Sequence, residues 1–305
     1  MGLKIRRSTL ILPVNQSKFV EKAYTRGADA ISLDLQDSIP PAEKESARKQ
    51  VAGAILMAAK GGAEVLVRVN NDPDLLFEDI DAAIHPGLSG IQFPKVESAH
   101  QILCLNALIG AKERERGLNP GSISITVHIE TPSGLLIAES LPPSSTRIEG
   151  MGIGPEDYCL ALQVEPSEDG TELLYAVSRV VTICKAMNIR AHGLLGNIAG
   201  FRDLKGFEQS ALRGKKLGTE GAGCIHPDQI SILHRVFSPS PERFEYALRV
   251  VQAFDDGLKR GTAAIRLDGK MVDIPVYQRA QKILERAAAI EEIERHKAEA
   301  LAKNS

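Results

Sequence analysis

The sequence predicts an α/β fold, a (β/α)8 TIM barrel carrying a C-terminal extension. Three observations carry this. Eight short apolar runs recur along the first 225 residues, segments of helical periodicity separate them, and each run ends in polar or charged residues. A chain that repeatedly buries a strand and then presents chemistry at its carboxyl end has the organisation of a barrel enzyme. Strands covered on both faces read as continuous Val/Ile/Leu runs, which favours a parallel sheet. A doubly wound open sheet is the alternative fold.

The runs are TLILPV (9–14), AISLDL (30–35), VLVRV (65–69), IQFPKV (91–96), ITVHI (125–129), IEGMGI (148–153), HGLLGNI (192–198) and GCI (223–225). Behind them come Asn15, Asp37, Asn70, Glu97, Glu130, Asp157, the Phe201-Arg202-Asp203 loop and His226, with Arg68 and Lys95 one step inside. The first helical segment holds Phe19 and Ala23 among Lys18, Glu21 and Lys22 and stops at Gly27. Further helices are expected near 42–60, 74–83, 97–117, 132–140, 155–163 with 171–188, and 203–217, each bounded by Gly, Pro or Asn. The barrel is assigned to residues 1–238.

Residues 239–305 break the rhythm and form an extension. Ser-Pro-Ser-Pro-Glu precedes a helix with Phe244, Ala247, Leu248, Val251 and Phe254 on one face. The runs AAIRL and KMVDI flank Asp268-Gly269, a two-residue hairpin signal. A last helix from about residue 275 carries Val276, Ala280, Ile283, Ala287 and Ile290 as an apolar stripe that packs on another surface.

Apolar residues make up 43% of the 305 and charged residues 25%, with a formal net charge of −2. The chain can therefore bury a large core and has no electrostatic bias toward nucleic acid. Cys104, Cys159, Cys184 and Cys224 lie far apart without a CxxC pair, which argues against a disulfide framework or structural zinc and for reduced thiols in a cytoplasmic protein. Arg6 and Arg7 precede an apolar stretch too short for a signal sequence. No run approaches the roughly 18 apolar residues of a membrane span.

Glu130 and Asp157 stand behind neighbouring strands, so their carboxylates can converge on one hard cation of the Mg²⁺ type. They can equally serve helix starts, Glu130 before Thr131-Pro132 and Asp157 after Gly154-Pro155, where acids favour the dipole. Arg68 sits inside an apolar strand and needs an anionic partner, either a ligand at the mouth or Asp34 or Asp37. Lys95 is a Schiff-base lysine or an ion-pair partner. His226 before Pro227 shuttles a proton or starts a helix.

The motifs RRSTLILPVNQ, GADAISLDLQDS, VLVRVN, FPKVES, VHIETPSGLL, GIGPEDYCLAL, GAGCIHPDQI and DGKMVDIP follow one another along residues 5–290. In this order the chain resembles the citrate lyase β-subunit-like branch of the HpcH/HpaI aldolase superfamily. The resemblance implies a carbon–carbon lyase that cleaves or forms a CoA thioester, such as citramalyl-, malyl- or citryl-CoA, giving an acyl-CoA and a 2-keto acid. It implies Mg²⁺, with Mn²⁺ as the alternative, held by Glu130 and Asp157. It further implies Arg68 on the keto acid, Asp273 as acid/base, Arg6 and Arg7 as coenzyme A contacts, and a homo-oligomer, trimer or hexamer, whose extension lids a neighbouring subunit. No nucleic acid or membrane partner is implied. Three positions depart from the family pattern: Pro13-Val14-Asn15-Gln16 stands for PGNN, Leu33-Asp34-Leu35-Gln36-Asp37 for LDLED, and Gln163 replaces a common glycine. Gln36 removes one negative charge near Arg68. A CoA-independent metal-dependent pyruvate aldolase, a malyl-CoA thioesterase and a non-catalytic subunit of a lyase complex are the competing expectations.

Overall fold

The computed structural model describes residues 4–196 and 200–304. Eight parallel strands follow one another around the molecule: β1 (Ser8–Pro13), β2 (Ala30–Asp34), β3 (Glu64–Arg68), β4 (Gly90–Phe93), β5 (Ser124–Ile129), β6 (Ile148–Ile153), β7 (Arg190–His192) and β8 (Ala222–Cys224). Regular ladders join β7 through β1 to β8. The ring closes through Glu220 N to Ala191 O and Gly193 N to Gly221 O, both 2.9 Å. The fold is the expected barrel.

Helices return the chain from the carboxyl ends of the strands to their amino ends: α1 (Ser17–Ala23), α2 (Lys44–Arg48), α3 (Val51–Ala59), α4 (Pro73–Ala83), α5 (Ala99–Glu115), α6 (Pro132–Leu136), α7 (Pro155–Leu162), α8 (Leu174–Ala186), α9 (Leu204–Leu217) and α10 (Asp228–Phe237). Several starts are capped as their sequence demands. Ser98 and Gln101 form a capping box on α5, and Asp72 and Asp203 cap α4 and α9. The chain leaves α7 through Gln163 in the left-handed region (φ 60), a position whose backbone favours glycine.

The structure corrects two boundaries. The seventh run was placed at 192–198, whereas the strand is Arg190–His192. Its Gly193 turns at φ 129, and residues 197–198 of that run lie outside the described residues. The single helix expected over 42–60 is a 3-10 turn followed by α2 and α3, broken at Lys49–Gln50. On α1 the buried side chains are Val20 and Ala23, while Phe19 is 49% exposed.

The apolar core lies between strands and helices: Ile31, Leu33, Val65, Val67, Ile91, Phe93, Ile125 and Val127 are all fully buried there. By the twofold alternation of a strand their neighbours face inward. Barrel interiors are commonly filled by branched apolar side chains. Here Ser32, Gln92, Thr126 and His128 occupy much of that space, with Ser32 Oγ donating to Gln92 Oε1 and Gln92 Nε2 3.4 Å from His128 Nε2.

The extension contains α11 (Pro241–Lys259), a hairpin of β9 (Ile265–Leu267) and β10 (Lys270–Val272), and α12 (Ile274–Asn304). Asp268 (φ 49) and Gly269 (φ 75) make the tight turn that their dipeptide signals. Ala247, Val250, Phe254, Val272 and Ala280 form a second small core, while Leu248, expected on the buried face of α11, is exposed. The second half of α12 departs from the expected lid, because it lies across the amino-terminal face of its own barrel. There Lys297 Nζ reaches Asp29 Oδ1 at 2.9 Å, Glu294 bonds Arg7, and Asn304 Nδ2 donates to Lys60 O. Among the described residues no helix is long and apolar enough to cross a membrane.

Candidate active site

The carboxyl ends of the strands surround a cavity of about 200 Å³, lined among others by Arg68, His128, Glu130, Asp157 and His192. Glu130 follows β5, where the alternation Ser124, Thr126, His128, Glu130 turns each of these side chains inward. Thr131, next along, caps α6 by accepting from Gly134 N at 3.1 Å. Asp157 lies in the first turn of α7, aimed by the Gly154-Pro155 entry. Asp157 thus sits at a helix start, Glu130 lies just ahead of the capping residue of α6, and both line one cavity.

Glu130 is 3% exposed, and its Oε2 is buried without a hydrogen-bond partner. Burial, and then the charge of Asp157, raise its carboxyl to about 8. An orphaned buried carboxylate oxygen beside a second carboxylate is the donor set of a hard divalent cation, so these residues fit magnesium. The close approach depends on Gly154: a Cβ there would stand 2.6 Å from Glu130 Cγ and 2.7 Å from Oε1.

Arg68 ends β3 and pairs with Asp34, at the end of β2, in a fork of two 2.7 Å bonds, Nε to Oδ1 and Nη2 to Oδ2. The internal salt bridge and the anion site weighed for this arginine are compatible, since the paired guanidinium also lines the cavity. Asp34 also accepts from the backbone of Gln36 and Ser38, which fixes the fork. Gln36 is itself buried, with Oε1 unpartnered.

Lys95, in left-handed backbone (φ 52), extends between Asp157 (2.9 Å) and Asp37 (3.9 Å). Burial pulls its pKa down, but the hydrogen bond to Asp157 and the charge of Asp37 outweigh this and raise it. A lysine held as ammonium is a poor imine nucleophile. His226 sits after β8, its Nδ1 3.3 Å from Asp228 N at the start of α10 and its ring stacked on Phe201.

Arg6 and Arg7 are found at the opposite, amino-terminal face, which corrects their expected role as substrate contacts. Arg6 bonds Glu64 at 2.6 Å and Glu149 at 2.5 Å. Arg7, 3% exposed, is forked on Asp29 at 2.8 Å and reaches Glu294. The Asp29 carboxyl, which burial would raise, is instead held far below the carboxylate range by the Arg7 hydrogen bond and the charges of His234 and Lys297. Arg6 neutralises acids of β3 and β6, and Arg7 anchors α12 through Glu294. Asp273 is not among the residues that line the cavity of its own chain: it opens α12 and accepts from Val276 N at 3.2 Å.

Sequence reasoning missed two features. His128 and His192 form the cavity floor with rings 5.1 Å apart. Burial, then the charges of Arg68 and Arg6, push His128 down to about 3. The signal was the polar alternation within a run read as continuously apolar. The second is a groove of about 280 Å³ between α1, β1 and the chain after β8, lined by Lys18, Phe19, Lys22, Arg26 and His226. Its signal was the spacing of three cations at fours along residues 18–26.

The sequence profile of the HpcH/HpaI aldolase/citrate lyase family matches residues 7–227. The citrate lyase β subunit of Escherichia coli strain K12 is 34% identical over 285 residues, covering 93% of this chain and 94% of that protein. L-malyl-CoA/β-methylmalyl-CoA lyase of Cereibacter sphaeroides is 30% identical over 308 residues, covering 93% of this chain and 95% of that one. Among solved structures, protein CitE from Mycobacterium tuberculosis in complex with magnesium, acetoacetate and coenzyme A has the same fold, with a TM-score of 0.71 at 24% identity over 92% of this chain and 97% of that chain. The chain belongs to the HpcH/HpaI aldolase/citrate lyase family.

Proposed function

We propose that this protein is a magnesium-dependent carbon–carbon lyase, cleaving or forming a 3-hydroxy-3-carboxyacyl-CoA thioester with an acyl-CoA and a 2-keto acid on the other side of the reaction. The observation that carries the reading is the buried, unpartnered Glu130 Oε2 beside Asp157 in a cavity that also presents Arg68. The lyases to which the chain is similar act on CoA thioesters by name.

Glu130 and Asp157 would hold the cation. When bound, a divalent ion supplies Lewis-acid polarisation of the substrate carbon–oxygen bond. Arg68, held in orientation by Asp34, faces the carboxylate of the keto acid and offsets its charge. Lys95 remains an ammonium on Asp157 and Asp37 and orients the acid rather than forming an imine. The groove beside α1 suits the phosphates of coenzyme A, since Lys18, Lys22 and Arg26 face it with the ring of Phe19 between them.

Asp273 is the acid/base. In cleavage it takes the substrate hydroxyl proton, the carbon–carbon bond breaks, and the electron pair passes to the thioester α-carbon, which is then protonated. On this reading Asp273, which is outside the lining of its own chain's cavity, serves the mouth of a second copy in a homo-oligomer, trimer or hexamer, with the hairpin as the lid. Exposed Met271 and Ile274, flanking Asp273, support this. The free cysteines fit a cytoplasmic enzyme.

The test is a panel of citramalyl-, malyl-, methylmalyl- and citryl-CoA assayed with magnesium, reading free CoA separately from acyl-CoA. Release of acyl-CoA and keto acid that EDTA abolishes supports the lyase. Free CoA indicates a thioesterase step, and turnover of CoA-free hydroxy acids alone indicates an aldolase. EDTA-insensitive turnover with a borohydride-trapped adduct on Lys95 overturns the metal mechanism.

A further inference from the structure

The inner end of the mouth cavity is closed by His192, whose ring stands between two spaces. One is the mouth cavity of about 200 Å³, whose floor it shares with Ile11, His128 and Gly223. The other, deeper in the barrel, measures about 20 Å³ and is lined by Arg6, Thr126 and Arg190 among others. The deeper space has room for one water molecule and none for a carboxylate. On that side Arg190 Nη2 lies 2.6 Å from Glu149 Oε1, but Nη1 is buried with no hydrogen-bond partner. His192 Nε2 is likewise buried and unpartnered. Gly152, opposite on β6, comes so near that a Cβ there would stand 2.6 Å from His192 Cδ2 and Nε2, and the ring of His128 leans on the other side. The imidazole is thus wedged as a partition.

Positive charge on the mouth side is already committed. Arg68, which lines the cavity, has two of its nitrogens on Asp34, and the Lys95 ammonium is held by the lining acids Asp157 and Asp37. Burial, together with His128, Arg6 and Arg190 nearby, holds the His192 imidazole well below its ordinary pKa, so the floor is uncharged.

The geometry points to His192 as the residue that selects the keto acid: it floors the site with an imidazole and hides Arg190, so the site takes a short 2-keto monocarboxylate and rejects a 2-keto dicarboxylate. This rests on the magnesium and keto-acid reading above. A keto acid held at Glu130, Asp157 and Arg68 has one substituent left. A hydrogen or methyl group meets Ile11 and the imidazole edge at no electrostatic cost. A second carboxylate would be buried without a counter-charge. Removing the ring joins the two spaces and opens the path to Arg190 Nη1.

The experiment is calorimetric titration of the full-length protein, in saturating magnesium, with glyoxylate, pyruvate and freshly prepared oxaloacetate. Glyoxylate or pyruvate should bind about tenfold or more tighter than oxaloacetate. His192→Ala should shift that preference toward oxaloacetate by about tenfold, and adding Arg190→Met should abolish the gain. His192→Asn, a smaller polar change, serves if the alanine variant does not fold, with the same direction expected. Oxaloacetate binding wild type as tightly as pyruvate, or a ratio unmoved in the folded variants, overturns the selector role while leaving the lyase reading intact. Failure of wild type to bind any of the three acids with magnesium overturns the lyase reading and this inference with it.

Discussion

Gly154→Ala tests the metal site through a single methyl group. The added Cβ would lie 2.6 Å from Glu130 Cγ, 2.7 Å from Oε1 and 2.9 Å from Cδ. The first contact is about 0.9 Å inside the roughly 3.5 Å at which carbon atoms begin to attract. Either Glu130 swings away or the loop carrying Asp157 retreats, and in both cases the two carboxylates part. The backbone itself accepts alanine, since Gly154 has φ −87, and a lost glycine entropy offsets part of the strain by about 0.4–1 kcal/mol. Stability should therefore stay within about 1 kcal/mol of wild type, while a displacement near 1 Å should cost about 10²-fold in kcat. Magnesium affinity should fall about 10–100-fold, in the range that disturbed ligand geometry costs. Thermal unfolding in EDTA measures the first quantity, and calorimetric magnesium titration with steady-state kinetics the others. A folded Gly154→Ala protein with wild-type magnesium affinity would refute the assignment of Glu130 and Asp157 as a ligand pair.

Four further outcomes are expected. Because burial and Asp157 raise the Glu130 carboxyl to about 8, its ionisation destabilises the metal-free fold as pH rises from its ordinary value through about 8. Melting temperature in EDTA should fall over that window, a slope that Glu130→Gln removes and magnesium reverses; a flat profile in the wild type contradicts it. Arg7→Met should cost about 1–3 kcal/mol in denaturant unfolding by removing the guanidinium bonds to buried Asp29, which keeps Lys297, with KM for the CoA ester unchanged in whatever folds. A Lys18→Ala, Lys22→Ala double variant should instead raise that KM about tenfold and weaken its salt dependence, and the opposite pattern would return the arginines to the substrate site. Asp273→Asn should lower kcat about 10²–10⁴-fold with little change in KM. Mixing and reassembling it with Glu130→Gln subunits should restore activity; no recovery, or a monomer by light scattering at micromolar concentration, argues against a shared site.

The strands were legible because parallel strands packed on both sides must be apolar in one stretch, and seven of the eight runs overlap their strands closely. The seventh failed for a physical reason. Arg190 and His192 face a polar interior, so the strand carries little apolar signal, and Leu194 and Leu195 beyond it are buried in the loop that follows. Lys49–Gln50 interrupts helix at residues with good helical propensity, a break that periodicity does not announce.

The sequence by itself determined the barrel, the tight hairpin at Asp268-Gly269 and the positions of Glu130, Asp157 and Arg68 at strand ends, since these follow from local periodicity and turn chemistry. Tertiary structure alone decided which end of the barrel each charge occupies and what it meets. Arg7 and Arg68 are both arginines beside a strand. One is spent on Asp29 and Glu294 at the closed face and the other is forked on Asp34 at the mouth. The distinction depends on contacts between residues far apart in the chain, which no local pattern encodes. The same holds for the two histidines of the floor, whose burial and pairing exist only once the strands have closed.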